Sequence, residues 1–188
     1  MSLIARYLAE AQLAGDVAEF HRDNLDVDAI VGRVHGHRGD VLRIDQVSEH
    51  GDYAGLTFVS LGDITRIRSR GRELSFLSSV APPTQEWSQR DLLGGSLPEV
   101  AANVSEQFGY VTLYIEDARD DVVFIGEIIE RDADHLRLLE YGTISTQDRR
   151  DFLLRDDEIT RVEVDGPYER RLRNMPGELV RPLDRSIG

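Results

Sequence analysis

Ile30-Val31-Gly32 and Phe124-Ile125-Gly126 stand 94 residues apart in a chain of 188, and each sets a glycine inside an apolar, strand-like run. A glycine within a strand weakens it unless the strand bends sharply or another backbone comes close. Carrying that cost twice, at one offset, marks a duplicated unit. Working outward, the same offset lays Gly15 on Gly109, Val17 on Val111, Phe20 on Tyr114, Asp23 on Asp117, Asp40 on Asp134, Leu42-Arg43 on Leu136-Arg137 and Phe58 on Phe152. One inserted residue in the second copy then aligns Ile64-Thr65-Arg66-Ile67 with Ile159-Thr160-Arg161-Val162. A long fixed period speaks to architecture before anything else. It predicts two units, residues 1–80 and 96–165, joined by a linker at 81–95 and followed by a C-terminal extension at 166–188.

Each unit opens on a helix. Leu3, Ile4, Tyr7, Leu8 and Ala11 recur at helical spacing and Gly15 stops them, while Ser96-Leu97-Pro98-Glu99 reads as a capping box ahead of Val100, Ala101, Val104 and Phe108. After each helix the period falls to two. Five short strands are expected in the first unit, at Val17–His21, Ile30–Gly36, Val41–Val47, Leu56–Leu61 and Ile64–Ile67, and five in the same order in the second. The fold class is therefore mainly β: two tandem small barrels, each a short N-terminal helix followed by five strongly bent antiparallel strands. Closure would remove the edges that an open sheet exposes. In the linker, Pro82-Pro83 breaks regular structure and Trp87 is expected to dock on a barrel. A short helix is expected near Tyr168–Met175.

All 22 basic residues are arginine against 35 carboxylates, giving a net charge of −13. A GC-rich coding bias and adaptation to high salt both remove lysine. Such a surface repels phosphate backbones, which disfavours RNA as a partner without excluding a local basic site. There is no cysteine, hence no disulfide or thiolate metal site. No long apolar run or leader pattern is present, so a cytoplasmic protein without a membrane partner is expected. No cysteine nucleophile, Gly-rich phosphate loop, His-Glu-x-x-His or Gly-x-Ser-x-Gly occurs, and the chain reads as a non-enzyme without a cofactor.

The helix, the five bent strands and the glycine of the second strand resemble the Sm-like family. Tyr110–Glu116, the turn Asp117-Ala118-Arg119 and Phe124-Ile125-Gly126-Glu127-Ile128 are similar to its first motif, and Leu154-Arg155-Asp156-Asp157-Glu158-Ile159 to its second. The resemblance implies association through the edges of strands four and five, within the chain or in a ring. The implied partner is a second copy or another protein. In that family RNA is held by the loop between strands two and three and by the loop before strand five. Here these loops read His35-Gly36-His37-Arg38-Gly39-Asp40 and Glu130-Arg131-Asp132-Ala133-Asp134, without the family's asparagine, and Asp156 replaces its glycine. Asp132, Asp134, Asp156 and Asp157 would crowd phosphate.

The candidate nucleic-acid residues are His35, His37 and Arg38 in the first loop, the run Arg66, Arg68, Arg70 and Arg72, and Arg155. His35 and His37, two apart on a strand, would share a face and could alternatively hold a metal with Asp40 or Asp45. The competing reading of the arginine run is pairing with the protein's own carboxylates. For Arg43, Arg137, Arg66 and Arg161 the expected partners are Asp40 or Asp134 and Asp63 or Asp157.

Overall fold

A computed structural model describes residues 2–82, 91–141 and 149–173. In chain order the elements are α1 (Leu3–Ala14), β1 (Val17–His21), β2 (Ile30–Arg38), β3 (Val41–Val47), β4 (Tyr53–Ser60), β5 (Arg66–Arg68), α2 (Arg72–Val80), α3 (Leu97–Phe108), β6 (Val111–Ile115), β7 (Arg119–Arg131), β8 (His135–Glu140), β9 (Arg150–Arg155), β10 (Arg161–Val164) and α4 (Pro167–Arg173). The duplicated order of helix and five strands stands as expected. Trp87 and the stretch from Met175 onward lie outside the described residues. Among the described residues no helix is long and apolar enough to cross a membrane.

The ten strands hydrogen-bond into one antiparallel sheet in the order β5-β1-β2-β3-β4-β10-β6-β7-β8-β9. Each unit contributes one block in the order fifth, first, second, third and fourth strand, so that the fifth strand is at the sheet edge in the first unit and at the junction in the second. The blocks join where β4 of the first unit pairs with β10 of the second: Val59 opposite Arg161, Phe58 opposite Val162, Thr57 opposite Glu163 and Leu56 opposite Val164. The predicted closure into two barrels does not occur. The edge of β4 that would have returned to β5 is occupied by β10, so the sheet stays open, with β5 and β9 as its edges.

Gly32 and Gly126 occupy equivalent points, and the reason is close approach of the next strand. A Cβ on Gly32 would lie 2.4 Å from the Asp45 carbonyl oxygen, and one on Gly126 would lie 2.1 Å from that of Leu139. Each second strand then carries a bulge at the same place, His35 between Val34 and Gly36, and Ile129 between Ile128 and Glu130. Bulges bend a strand and sharpen its twist, and this duplicated one curls both blocks alike.

Strand pairing corrects the offset of the repeat. Ala18 faces Gly32 and Val111 faces Gly126, so the first strands match at an offset of 93, Phe20 with Leu113 and Asp23 with Glu116. The fourth strands match at 95: Leu42 faces Val59 as Leu136 faces Leu154, which puts Phe58 on Leu153 rather than on Phe152. Two single-residue insertions, both in connections between strands, produce the drift from 93 to 95. Because side chains alternate across a sheet, a slip of one residue exchanges its faces.

The core runs across the junction. Val41, Leu56 and Phe58 of the first unit are buried with Leu97, Val100, Ala101 and Val104 of α3 and with Val111, Leu113, Val162 and Val164 of the second. A separate cluster beneath α1 holds Leu8, Phe20, Leu42 and Ile44. The expected capping box at Ser96 forms only in part. The Ser96 side chain caps nothing, while Glu99 Oε2 accepts from the Gly95 amide at 2.7 Å.

The apolar run Leu74–Val80, at the end of the first unit and given no element from the sequence, is within the helix α2, and it has a counterpart. At the offset of 95, Gly71 matches Gly166, Leu77 matches Leu172 and Leu74 matches Glu169, so α4 extends the repeat into the segment read as a C-terminal extension. Leu74, Leu77 and Leu172 are all buried, and so is Glu169. That carboxyl accepts from Thr112 Oγ1 at 3.1 Å, and burial raises its pKa above the ordinary 4.5, with Glu163 adding to the rise. Since the folded pKa is raised, the contribution of the proton to stability is complete below pH 4.5 and is lost as pH climbs through the folded value. Glu169→Gln should therefore match the wild type in urea denaturation at acid pH and exceed it by about 1–3 kcal/mol at pH 8. Parallel curves across that range would remove the buried-acid reading.

Candidate functional site

The residues proposed for RNA do not gather. His35 is the bulged residue of β2 and its Nδ1 lies 3.7 Å from Asp45 Oδ2, while His37 stands one register step away on the exposed strand end. The bulge breaks the alternation that would have turned both imidazoles to one face, and among the described residues no three metal-ligating side chains cluster. Arg38 donates from Nη2 to Asp91 at 2.9 Å and from Nη1 to the Leu93 carbonyl at 2.5 Å, tying the connection between the units to the first block. Arg155 binds Asp157 at the end of β9, at the far side of the sheet from β5.

On β5, Arg66 grips Asp23 through Nε (2.9 Å) and Nη2 (2.7 Å), and Arg68 is held by Glu19 and Glu73. Arg70 lines a small cavity with Tyr7, Glu10 and Asp16, and Arg72 begins α2. The expectation that the arginines pair within the protein is met for Arg66 and Arg68, with different carboxylates. The partners anticipated for the four repeated arginines are corrected likewise. Arg43, buried and not outward, uses Asp45; Arg137 uses Asp151; Arg66 uses Asp23; Arg161 uses Glu116, Asp26 and Glu163. The carboxylates expected lie three or four residues before each arginine in the chain, whereas strand pairing brings Asp151, Asp23 and Glu116, and Asp45 lies two residues on along β3.

The most developed polar arrangement lies at the β4–β10 junction. Arg22, almost fully buried, donates from Nη1 to Glu116 Oε2 at 2.6 Å and from Nη2 to Oε1 at 2.8 Å. Glu116 also accepts from Thr160 Oγ1 at 2.8 Å and lies 3.1 Å from Arg161 Nη2. Arg161 stacks over the Tyr114 ring at 3.7 Å and reaches Asp26 of the first unit at 3.4 Å. Beside it Glu163 accepts from Tyr114 Oη at 2.8 Å, from Gln46 Nε2 at 3.0 Å and from Thr57 Oγ1 at 3.1 Å, the last two belonging to the first unit. Burial alone would push the Glu116 carboxyl up, but hydrogen bonds from Arg22 and Thr160 and the charge of Arg161 outweigh it and hold the group below its ordinary range. Paired and hydrogen-bonded in this way, the buried charges are compensated.

The same three-residue device recurs at the open edge of β5. Asp23 stands for Glu116, Thr65 for Thr160 and Arg66 for Arg161, and Asp23 accepts from Thr65 Oγ1 at 2.5 Å. Hydrogen bonds from Arg66 and Thr65 hold the Asp23 carboxyl far below the usual range. The opposite edge mirrors the other half of the junction. Phe58 is 0% exposed beneath β10, whereas its counterpart Leu153 on β9 is 70% exposed. Ile67 on β5 is half-buried where Val162 is fully buried. The two edges of the sheet are thus an unpaired copy of the two strands that meet inside it.

Sequence reading missed Arg22, Glu116, Glu163 and Gln46. A signal was present in the recurring Thr65-Arg66 and Thr160-Arg161 pairs, two polar residues kept in both copies where the fifth strand begins. No family model, no curated protein and no solved structure matches the chain.

Proposed function

We propose that the chain is a non-catalytic assembly module, a tandem of Sm-like units in which one fourth-to-fifth-strand junction lies within the chain and the free strands β9 and β5 make the same junction with further copies. The observation that carries this reading is the pair Phe58 and Leu153, one buried at the internal junction and the other exposed at the edge. Transferring the internal register places Ile67 of one copy opposite Leu153 of the next, Arg66 opposite Leu154 and Arg68 opposite Phe152. Charge agrees with this pairing. The internal contact of Glu163 with Gln46 becomes Arg68, which also holds Glu19 and Glu73, beside Glu140, which also holds Arg150, since Gln46 and Glu140 face Gly32 and Gly126 alike. A head-to-tail contact closes into a ring when its rotation permits, and three chains would form a ring of six units.

Size-exclusion chromatography with light scattering tests the proposal. The mass is expected to rise with concentration from the 21.2 kDa of one chain toward a fixed multiple, and Leu153→Glu to hold it at one chain. A wild type that stays at one chain at the highest attainable concentration removes the reading. RNA binding, the alternative expected from the sequence, would draw on arginines that already hold carboxylates, Arg38, Arg66 and Arg68 among them. Among the described residues Arg70 and Arg72 carry no ion pair, so the RNA reading requires low-salt binding of A- or U-rich oligomers that Arg68→Ala with Arg70→Ala abolishes.

A further inference from the structure

We infer that the internal junction is locked by a cross-unit clamp which the outer junction lacks, so that the chain itself is the permanent building block and the contact between copies is the reversible one. The inference rests on the assembly reading above. Arg22 is the clamp. It follows directly on the first strand of the unit that donates β4, and from there it takes both oxygens of Glu116 in the other unit. Its counterpart in the second unit is Ile115. Both residues open the turn after the first strand, the carbonyl of Arg22 accepting from the Leu25 amide at 2.8 Å and that of Ile115 from the Ala118 amide at 3.0 Å.

In a contact between copies, the unit donating β9 therefore brings Ile115 to the place of the clamp. The carboxylate it would meet is changed to match. Glu116 is long enough to serve Arg22 and lie beside Arg161 at once, whereas Asp23, shorter by one methylene, is spent on Arg66 and Thr65 of its own unit. The glutamate occurs with the cross-unit arginine, and the aspartate with the isoleucine. Asp23 at the β5 edge is thus already held within its own unit, and among the described residues only the internal junction forms a charged bond from one unit to the other at this point.

Two exchanges test this in the full chain. Arg22→Ile with Glu116→Asp gives the internal junction the composition of the outer one, and hydrogen exchange at the amides of 56–59 and 161–164 should quicken at least tenfold. Those of 42–45, in the middle of the first block, should keep their rates. Unchanged protection at 56–59 and 161–164 overturns the clamp, whether or not copies associate. Ile115→Arg with Asp23→Glu gives the outer junction the internal composition, and the dissociation constant between copies, measured by sedimentation, should fall at least tenfold. If the wild type associates and this variant does so no more tightly, the clamp is likewise overturned. If neither associates while the exchange result holds, the clamp stands and the assembly reading fails.

Discussion

Glu116→Ala is expected to cost the chain about 3–5 kcal/mol, the usual consequence of removing one member of a buried ion pair. Arg22 would keep its place, 1% exposed, with its nearest remaining carboxylate, Asp26, at 3.9 Å and the Thr160 carbonyl at 3.5 Å. Arg161 would lose the carboxylate 3.1 Å away, and the amide of residue 116 would still bond Thr160 Oγ1 at 3.1 Å, so the loss falls on the guanidinium groups and not on the turn. Guanidinium denaturation at pH 7 measures the cost, and a loss below about 1 kcal/mol would show that water reaches Arg22 and that the junction is not sealed. Adding Arg22→Met should restore much of the loss, because an apolar pair leaves no charge stranded. Acid removes the same interaction. The Glu116 pKa is depressed in the fold, so its contribution is complete above the ordinary 4.5 and is lost as pH falls through the folded value. The gap between wild type and Glu116→Ala should accordingly narrow toward low pH, as it should at Glu169, but here the wild type is the more stable of the two at neutral pH, whereas there the variant is.

Composition and period were enough to read the duplication, the helix-then-strands order and the second-strand glycines. Each of these is local, carried by residues within a few positions of one another. What stayed hidden depends on where strands meet. Phe58 and Phe152 look equivalent in sequence, and only the pairing of Leu42 with Val59 and of Leu136 with Leu154 shows that Leu153 is the true counterpart. Barrel closure was unreadable for a related reason. The strand that pairs with β4 is β10 and not β5, and the cross-unit contacts at that junction join Arg22 to Glu116 and Thr160, 94 and 138 positions away, beyond the reach of any local pattern. The helix α4 was half legible as an amphipathic stretch, but Glu169 in place of Leu74 removed one of its two apolar anchors.

The largest effect from a single added methyl is expected at Gly126→Ala. The new Cβ would lie 2.1 Å from the Leu139 carbonyl oxygen, 2.8 Å from its carbon and 2.9 Å from Glu140 Cα, all of them backbone atoms with no rotamer to yield. Overpacking a core commonly costs about 1–3 kcal/mol when side chains can shift. Here β7 and β8 must part, so the cost should lie at or above the upper end of that range. Gly32→Ala meets the Asp45 carbonyl oxygen at 2.4 Å together with the movable Ile44 Cγ2 at 2.6 Å and should cost somewhat less. Gly36→Ala is the control within the same strand. It meets only Gln12 Nε2 at 3.7 Å and Leu93 Cδ1 at 4.0 Å, so the change in stability should stay within about 0.5 kcal/mol. Thermal melts of the three variants rank them directly. A Gly126→Ala chain as stable as Gly36→Ala would mean that β7 and β8 do not approach as described, and the glycine could then no longer be taken as the mark of a repeated, tightly curled sheet. Because β8 carries β9, the same variant should also loosen the edge that holds Leu153. Association between copies would then weaken along with the fold, whereas Leu153→Glu is expected to abolish association and, at dilutions where the wild type is a single chain, leave the melting temperature where it was.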